Sequence, residues 1–504
     1  MQPRDQRLLQ GVRRTLAQLS QRLDSNEPKA VLQDVDLVLN ELLLRSDHRF
    51  YTDHYRDGLA LAREGAALES RFRQANTALM HGALEQLAPV LDEALSTDAI
   101  GTAHEALRRV MEDIVRRLAN SPVSTEPETR SYLDRIVDWE NRYHARHWTP
   151  AEAPGTESHT VQTSRYTRDD VERYLRSRFP ERRALAVRDV KVLPGGFSKR
   201  TLLMDVVDEV EGEHSLVIRA EQPPRFDFWQ GDQVKNEFVV LQLVHEAGLP
   251  VAEPLWLELD TAQLGQAFLA SRRARGSNAG SSIGASGKLS EKMVESLVST
   301  LARIHNTRIN RQDERLRRTH LREWAQYATM AEATTAWVAH WFDCVEKKQL
   351  APSPSTVRLM EWLRNNVPPT EDPPVLLHGD YGLHNTLFEN EHVSCVLDWE
   401  YTSFGDPAED IAMLCISLGD SVDRERIAAL YARCGGLPIS KYRLRYFDVL
   451  YCMKFIVPCE NALKLFADHA DANIGLCRLG LLYPFPAIKD MNDKIALAEE
   501  AKGR

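Results

Sequence analysis

The sequence lacks a long apolar run. No stretch approaches the roughly 20 apolar residues that cross a bilayer. The amino-terminal segment MQPRDQRLLQGVRRTLAQ is charged and amphipathic, so it predicts a helix and not the continuous apolar region of a secretory signal. We therefore expect a cytoplasmic protein that does not associate with membranes.

An excess of positive charge is lacking as well. The chain carries 63 Lys and Arg against 73 Asp and Glu, a net charge of −10. Nucleic-acid binding proteins show a basic footprint, so we do not expect a nucleic-acid partner. The charge balance leaves open a local basic patch for an anionic substrate.

Cysteine is scarce and shows no metal-binding spacing. The seven cysteines lie between Cys344 and Cys477, without a C-x-x-C pair or a Cys/His set of the zinc type. Isolated thiols usually behave as small apolar side chains. Buried, reduced cysteines are therefore expected.

Hydrophobic periodicity divides the 504 residues into parts, and this length predicts about two to four domains. Residues 1–148 show a helical period and predict an all-α bundle of unknown role. Residues 149–164 are rich in Pro, Gly, Ser and Thr and predict a linker. Residues 165–270 predict a small β-rich lobe with one long helix, and residues 271–504 a large, mainly helical lobe. The expected fold class is α+β: a helical domain followed along the chain by a unit with the outline of a bilobal kinase.

The richest stretch is HGDYGLHNTLFENEHVSCVLDWE, residues 378–400. Asp380 and Asn385 form a D-x-x-x-x-N pattern, and Asp398 ends an apolar run that predicts a strand. Phosphoryl transfer from ATP needs a carboxylate that accepts the hydroxyl proton and oxygen ligands that hold Mg²⁺, and protein kinases use this spacing for both. The preceding residues, VLLHGDYGLHNTLF, predict a strand, a loop and a returning strand.

The segments HGDYGLHNTLF and VLDWEYTSFGDPAEDIAML resemble the aminoglycoside phosphotransferase and choline kinase superfamily of ATP-dependent small-molecule kinases. The resemblance covers about residues 165–480 and is most specific in the second lobe. The triplet DWE stands where protein kinases carry DFG, and GDPAEDIA is a hallmark that protein kinases lack.

The resemblance implies a protein-kinase-like fold, ATP and Mg²⁺ as cofactors, and a role for each motif residue. Asp380 would be the catalytic base, and Asn385 and Asp398 would be Mg²⁺ ligands. Asp410 would support the catalytic loop, and His378 would brace that loop through hydrogen bonds.

The segment LPGGFSKRT lies between two predicted strands, where a kinase places its phosphate-covering hairpin. Gly195 and Gly196 would let backbone N–H groups approach the nucleotide phosphates, with Ser198 beside them. The two following cations, Lys199 and Arg200, either contact phosphates or face water.

A kinase also needs a cation on its third strand, paired with a helix carboxylate. Arg219 and Glu237 are the candidates, and Arg219 offers a planar fork in place of a lysine point charge. Many members of the acyl-CoA-dehydrogenase-associated branch of the superfamily carry Arg there. We therefore expect Arg219 to contact the α- and β-phosphates, with an exposed edge-strand arginine as the alternative.

The expected function is transfer of the γ-phosphoryl group of ATP to a hydroxyl of a small molecule. The alternative is a catalytically silent nucleotide-binding module whose helical domain engages a partner protein. The short distance between DWE and GDP argues against a protein kinase, because no activation segment fits there.

Several features stay open. The acceptor, a GTP preference and the oligomeric state are not defined by these motifs, and a homodimer or protein partner could use the helical domain. The Gly/Ser-rich residues 276–288 predict a flexible loop, with ligand contact as the alternative. Five aromatic residues are either core or part of a cation-binding cage: Trp324, Tyr327, Trp337, Trp341 and Trp362.

Overall fold

The computed structural model describes most of the chain from residue 48 onward. It describes residues 48–72, 97–147, 166–193, 198–222, 233–281, 284–285, 289–419, 422–469, 474–482 and 484–503, with isolated positions elsewhere. The predicted linker, the first predicted helices and both glycines of the LPGGFSKRT segment lie outside these residues.

The described elements follow the predicted order of helices, a β-rich lobe and a helical lobe. The helices are α1 (His48–Phe72), α2 (Thr97–Ala119), α3 (Pro127–His147), α4 (Arg168–Arg178), α5 (Gln233–Glu246), α6 (Thr261–Leu264), α7 (Glu291–Asn306), α8 (Leu321–Trp324), α9 (Met330–Lys347), α10 (Pro354–Asn365), α11 (Ala408–Leu418), α12 (Arg424–Arg433), α13 (Lys441–Asp468), α14 (Ile474–Leu482), α15 (Pro484–Lys489) and α16 (Met491–Lys502). The strands are β1 (Ala186–Val192), β2 (Lys199–Asp208), β3 (Gly212–Glu221), β4 (Pro254–Glu258), β5 (Phe268–Arg272), β6 (Gly280–Ser281), β7 (Gly284–Ala285), β8 (Val375–Leu377), β9 (Thr386–Glu389), β10 (His392–Val396) and β11 (Ser403–Gly405).

The small lobe is a five-stranded antiparallel sheet in the order β1-β2-β3-β5-β4. Its strands alternate buried and less buried residues, as expected of a sheet with one covered face. The predicted long helix is α5, which ends at Glu246, two residues before Gly248 adopts a positive φ of 76°. Glycine takes this left-handed conformation without a Cβ penalty, which is why the helix stops there.

The second lobe is mainly helical and holds the predicted strands of the catalytic segment. The returning-strand prediction implied that the strand before the HGD motif pairs with the strand after it. In the structure these two strands do not pair with each other. Strand β8 pairs with β11, and β9 pairs with β10, both antiparallel. The loop between β8 and β9 therefore connects two small sheets. Strands β10 and β11, which flank the DWE segment, belong to the same two sheets, so both ends of the DWE segment are held next to this loop.

The amino-terminal helices pack on the second lobe. Arg358 of α10 donates to the backbone oxygen of Leu133 at 2.9 Å and forms an ion pair with Asp134 of α3. The backbone N–H of Ser355 donates to Glu140 at 2.8 Å. These polar contacts tie α3 to α10 next to an apolar core formed mainly by α1, α2 and α3, to which Val357 of α10 also belongs.

The fold is α+β: a bilobal, protein-kinase-like unit preceded by a helical region. Among the helices that the structure describes, none is both long enough and apolar enough to cross a membrane.

Candidate active site

The predicted catalytic loop, residues 378–385, holds the Asp380 carboxylate by one of its oxygens. Oδ2 accepts a hydrogen bond from Nε2 of His384 at 3.0 Å and from Nδ2 of Asn385 at 3.0 Å. The same Asn385 amide also donates to the backbone oxygen of Asp380 at 3.0 Å. Burial works against protonation of His384, but the Asp380 carboxylate outweighs it and raises the pKa of His384.

His378 and Asp410 fix the start of this loop by hydrogen bonds to its backbone. The two Asp410 oxygens accept the backbone N–H groups of His378 and Gly379, each at 2.8 Å. Nδ1 of His378 accepts the N–H of Asp380 at 3.2 Å, and Nε2 faces the backbone oxygen of Leu397 at 2.8 Å. Burial lowers the pKa of His378, so the neutral ring serves as acceptor on one side and donor on the other.

Asp398 lies beside the catalytic loop, just beyond β10. The N–H of Leu397 donates to the backbone oxygen of Asn385 at 2.8 Å, which fixes the two predicted metal ligands side by side. Asp398 has a φ of 61°, an unusual conformation for a residue with a Cβ, and such strain concentrates at functional sites. Burial alone would raise the pKa of Asp398, but Arg219 and Lys199 outweigh it and lower the pKa to about 2.

The predicted pair of Arg219 and Glu237 is present. Nη1 of Arg219 lies 2.6 Å from Oε1 of Glu237 on α5, and Nη2 lies 2.9 Å from Oδ1 of Asp398. Arg219 therefore joins the small lobe to the second lobe. The alternative of an exposed edge-strand arginine is wrong, because β3 lies between β2 and β5 and only 18% of the side chain is exposed.

The Ser198 hydroxyl donates to Glu400 at 3.2 Å, and its predicted place beside the nucleotide phosphates stays a prediction. Its neighbour Lys199 was expected either to contact phosphates or to face water, and the structure shows that it does not face water. Its ammonium is buried between Glu237 and Glu400. Arg200 stacks over the Tyr166 ring at 5.5 Å.

The Gly/Ser-rich loop supplies a supporting residue that the sequence did not reveal. Nδ2 of Asn278 donates to the backbone oxygens of Leu383, His384 and Thr386, at 3.3, 2.8 and 3.1 Å. Ser277 also pairs with Phe388 by two backbone hydrogen bonds. The start of this segment is thus bound to the catalytic loop, contrary to the expectation of a flexible loop.

Helix α13 supplies a second support from the other side. Gly379 adopts a φ of 84°, and its backbone oxygen accepts from Nζ of Lys454 at 2.5 Å and from the Tyr451 hydroxyl at 3.2 Å. Lys454 also pairs with Glu409 at 2.7 Å. The only sequence signal for this role was Lys454 within a mostly apolar stretch that also holds Glu460 and Lys464.

The residues present fit a divalent cation of the magnesium type. The Asn385 amide nitrogen is committed to Asp380, which leaves its oxygen as a ligand, and Asp398 stays ionised across the neutral range. Both donors are hard oxygen atoms, the ligand type that Mg²⁺ prefers.

The five aromatic residues considered for a cage lie in or against the core of the second lobe. Trp324, Trp337 and Trp341 are buried in the core of the second lobe, where they contact one another edge to face. Trp362 is half-buried and its indole N–H donates to Glu499 at 3.2 Å. The core alternative therefore holds for these four tryptophans.

The fold and site define a kinase-like phosphotransferase: an antiparallel lobe with a strand cation and a helix glutamate faces a D-x-x-x-x-N loop and a second aspartate. The family model of the phosphotransferase enzyme family, APH, matches residues 189–444, just over half of the chain. The chain belongs to this family.

The relatives found by sequence comparison are distant in sequence, and their chains are much longer. Acyl-CoA dehydrogenase family member 11 of Gallus gallus is 24% identical over 327 residues, 60% of this chain and 40% of that protein. The Homo sapiens protein of the same name is 25% identical over 248 residues, 45% and 30% of the two chains. Family member 10 of Mus musculus is 27% identical over 188 residues, 36% and 17%. The chain thus spans at most 40% of the length of these three relatives.

Solved structures with a similar backbone trace are also distant in sequence. The macrolide 2'-phosphotransferase MphH of Brachybacterium faecium is 20% identical, with a TM-score of 0.41 over 58% of this chain and 91% of its own. A ternary complex of aminoglycoside phosphotransferase APH(4)-Ia with ADP and hygromycin B is 17% identical, with a TM-score of 0.42 over 64% and 98%. At these low scores neither similarity supports a conclusion about substrate or mechanism.

Proposed function

We propose that the protein transfers the γ-phosphoryl group of ATP to a hydroxyl of a small molecule. The observation that carries this proposal is the joint placement of Asp380, Asn385 and Asp398 around one backbone hydrogen bond. Family membership supports phosphotransfer, and this geometry supports Asp380 as the base.

The geometry of Asp380 suits a general base. Among the described residues, both side-chain hydrogen bonds to its carboxylate end on Oδ2. Oδ1 can therefore orient the acceptor hydroxyl and receive its proton. A positioned base of this kind usually contributes about 10²–10⁴-fold to turnover.

Asn385 and Asp398 would hold Mg²⁺ through their side-chain oxygens. When bound, Mg²⁺·ATP supplies the phosphoryl group and neutralises the charge that develops on it. Arg219 already faces Asp398 from the small lobe, so its guanidinium can bind the α- and β-phosphates with the geometry that suits a planar fork. Ser198 and the glycines before it stay predictions as phosphate contacts.

The acceptor class is the finer part of the proposal. Amino sugars, choline-like alcohols, hydroxyacyl thioesters and hydroxylated natural products were all left open by the sequence. The burial of the tryptophans removes the main support for a choline cage built from them. The names of the relatives make hydroxyacyl-CoA thioesters the first acceptor class to test.

The test is a search for labelled product. Purified protein is incubated with γ-labelled ATP, Mg²⁺ and either hydroxyacyl-CoA thioesters or a cell metabolite extract, with Asp380→Asn as the matched control. Label in a small molecule with the wild type and not with the variant supports the proposal. If Mg²⁺·AMP-PNP binds but no acceptor is labelled, the silent nucleotide-binding module becomes the better account.

A further inference from the structure

Lys199 is the most deeply buried cation of the site, and the mechanism above does not use it. Its ammonium lies 2.9 Å from Oε2 of Glu237, 2.5 Å from Oε2 of Glu400 and 4.0 Å from Oδ1 of Asp398. Only 1% of its side chain is exposed. Burial alone would lower the pKa of Lys199, but Glu237 and Glu400 outweigh it and raise the value, so the side chain stays charged.

The register of the sheet explains how two cations reach one carboxylate. Lys199 pairs with Glu221 and Thr201 pairs with Arg219 across β2 and β3, so Lys199 and Arg219 are diagonal neighbours on the same face. Both approach Glu237, one at each oxygen. Each also reaches the second lobe, Lys199 at Glu400 and Arg219 at Asp398.

The two cations differ in access to the cleft. The Arg219 side chain is 18% exposed, whereas Lys199 is 1% exposed and enclosed by carboxylates. Phosphates of a bound nucleotide can therefore reach the Arg219 guanidinium without displacing Lys199. Lys199 does not have the access that a phosphate-binding lysine needs.

Charge compensation gives Lys199 a task. Glu237 has 1% of its side chain exposed, and a buried carboxylate is costly unless a cation stays next to it. If Arg219 were its only partner, turning the guanidinium toward phosphates would weaken that compensation. Lys199 keeps Glu237 paired during this shift and fixes Glu400, two residues after the metal ligand Asp398.

We propose that Lys199 is a positioning residue that holds Glu237 and Glu400 so that Arg219 and Asp398 are free to bind Mg²⁺·nucleotide. The inference rests on the proposed nucleotide site but not on the transfer step. It assigns to β2 a second interlobe cation, in addition to the strand cation on β3.

The test uses the full chain and measures Mg²⁺·ADP affinity by calorimetry, with thermal unfolding as a check on folding. Lys199→Met removes the charge at similar length, Lys199→Arg keeps it, and Lys191→Met is the control on the exposed surface of β1. We expect Lys199→Met to weaken Mg²⁺·ADP binding by about 10- to 100-fold, the usual effect of removing an outer partner of a metal site. Lys199→Arg should recover part of the affinity, and Lys191→Met should bind as the wild type does.

A charge-matched double variant separates positioning from general destabilisation. In Lys199→Met, Glu400 is left without its ammonium, so adding Glu400→Gln removes the uncompensated charge and should restore part of the affinity. A folded Lys199→Met variant with wild-type Mg²⁺·ADP affinity would overturn the proposal. If Lys199→Met does not fold, the Mg²⁺·ADP affinities of Lys199→Arg and Glu400→Gln are each compared with that of the wild type. Each variant should bind at least threefold more weakly, and wild-type affinity in both would overturn the proposal.

Failure of this inference and failure of the proposed function give different results. A wild type that binds Mg²⁺·ADP but labels no acceptor contradicts the proposed transfer, while a weakened Lys199→Met variant still supports the positioning role. A wild type that labels an acceptor, together with unimpaired nucleotide binding in Lys199→Met, contradicts only the role of Lys199.

Discussion

Asp410 offers the sharpest test of how the catalytic loop is held. Its two oxygens accept the backbone N–H groups of His378 and Gly379 at 2.8 Å, and Oδ2 also faces Nε2 of His305 at 3.1 Å. In Asp410→Asn one of the two N–H groups would face the amide nitrogen, which cannot accept a hydrogen bond. A buried donor that loses its acceptor costs about 1–3 kcal/mol. The loop should therefore open locally more often while the fold persists.

The assay is amide hydrogen exchange followed by mass spectrometry on peptides that cover residues 376–386. We expect exchange in Asp410→Asn to rise by about 10- to 100-fold there, because about 1.4 kcal/mol corresponds to a factor of ten. Phosphoryl transfer should fall by roughly 10²-fold from misplacement of the base. Asp448→Asn is the matched control, since Asp448 is also buried and its carboxylate pairs with Arg424 at 2.9 Å and Arg445 at 3.3 Å, not with the loop. Unchanged protection of residues 376–386 in Asp410→Asn would refute the reasoning.

Three further predictions concern the supports of the site and the helical region. Gly379→Ala should reduce transfer at least tenfold, because φ is 84° and an added Cβ would overlap the backbone oxygen of Tyr401; wild-type turnover would contradict this. Asn278→Ala should raise hydrogen exchange in residues 383–387 without changing exchange in α1, and equal exchange in both proteins would refute it. Burial lowers the pKa of His54 from 6.5 to about 4. As the pH falls through this range, His54 is therefore protonated in the unfolded state before it is protonated in the folded state. The His54 contribution should lower the stability of α1 by on the order of 3 kcal/mol between pH 7 and pH 4, measured by exchange of residues 48–72. Burial lowers the pKa of the neighbouring His104 as well, so His54→Gln should reduce the drop without abolishing it.

The sequence predicted the parts of the site that lie close together along the chain. The D-x-x-x-x-N spacing places Asp380 and Asn385 in one short loop, where a direct hydrogen bond joins them. The apolar run before Asp398 identifies a strand that ends at the cleft. The pair of Arg219 and Glu237, 18 residues apart, followed from the expected kinase order of strand and helix.

The remaining contacts depend on tertiary packing that no local pattern encodes. Lys199 and Glu400 lie 201 residues apart, and Lys454 reaches Gly379 across 75 residues. A cation after a glycine turn usually faces water, so nothing local indicated that Lys199 is buried. Pairing of β8 with β11 was missed for the same reason, since the nearer strand β9 was the simpler partner. The division into domains at residues 148 and 165 stays a prediction, and α3 is joined to α10 by buried polar contacts.

The measurement that tests the account most directly pairs phosphoryl transfer with nucleotide affinity in Asp380→Asn. If Asp380 is the base, transfer to the acceptor falls by about 10²–10⁴-fold while the affinity for Mg²⁺·AMP-PNP stays within about twofold of the wild type. Transfer at the wild-type rate in a variant that binds Mg²⁺·AMP-PNP normally would contradict the assignment of Asp380 and, with it, the proposed mechanism.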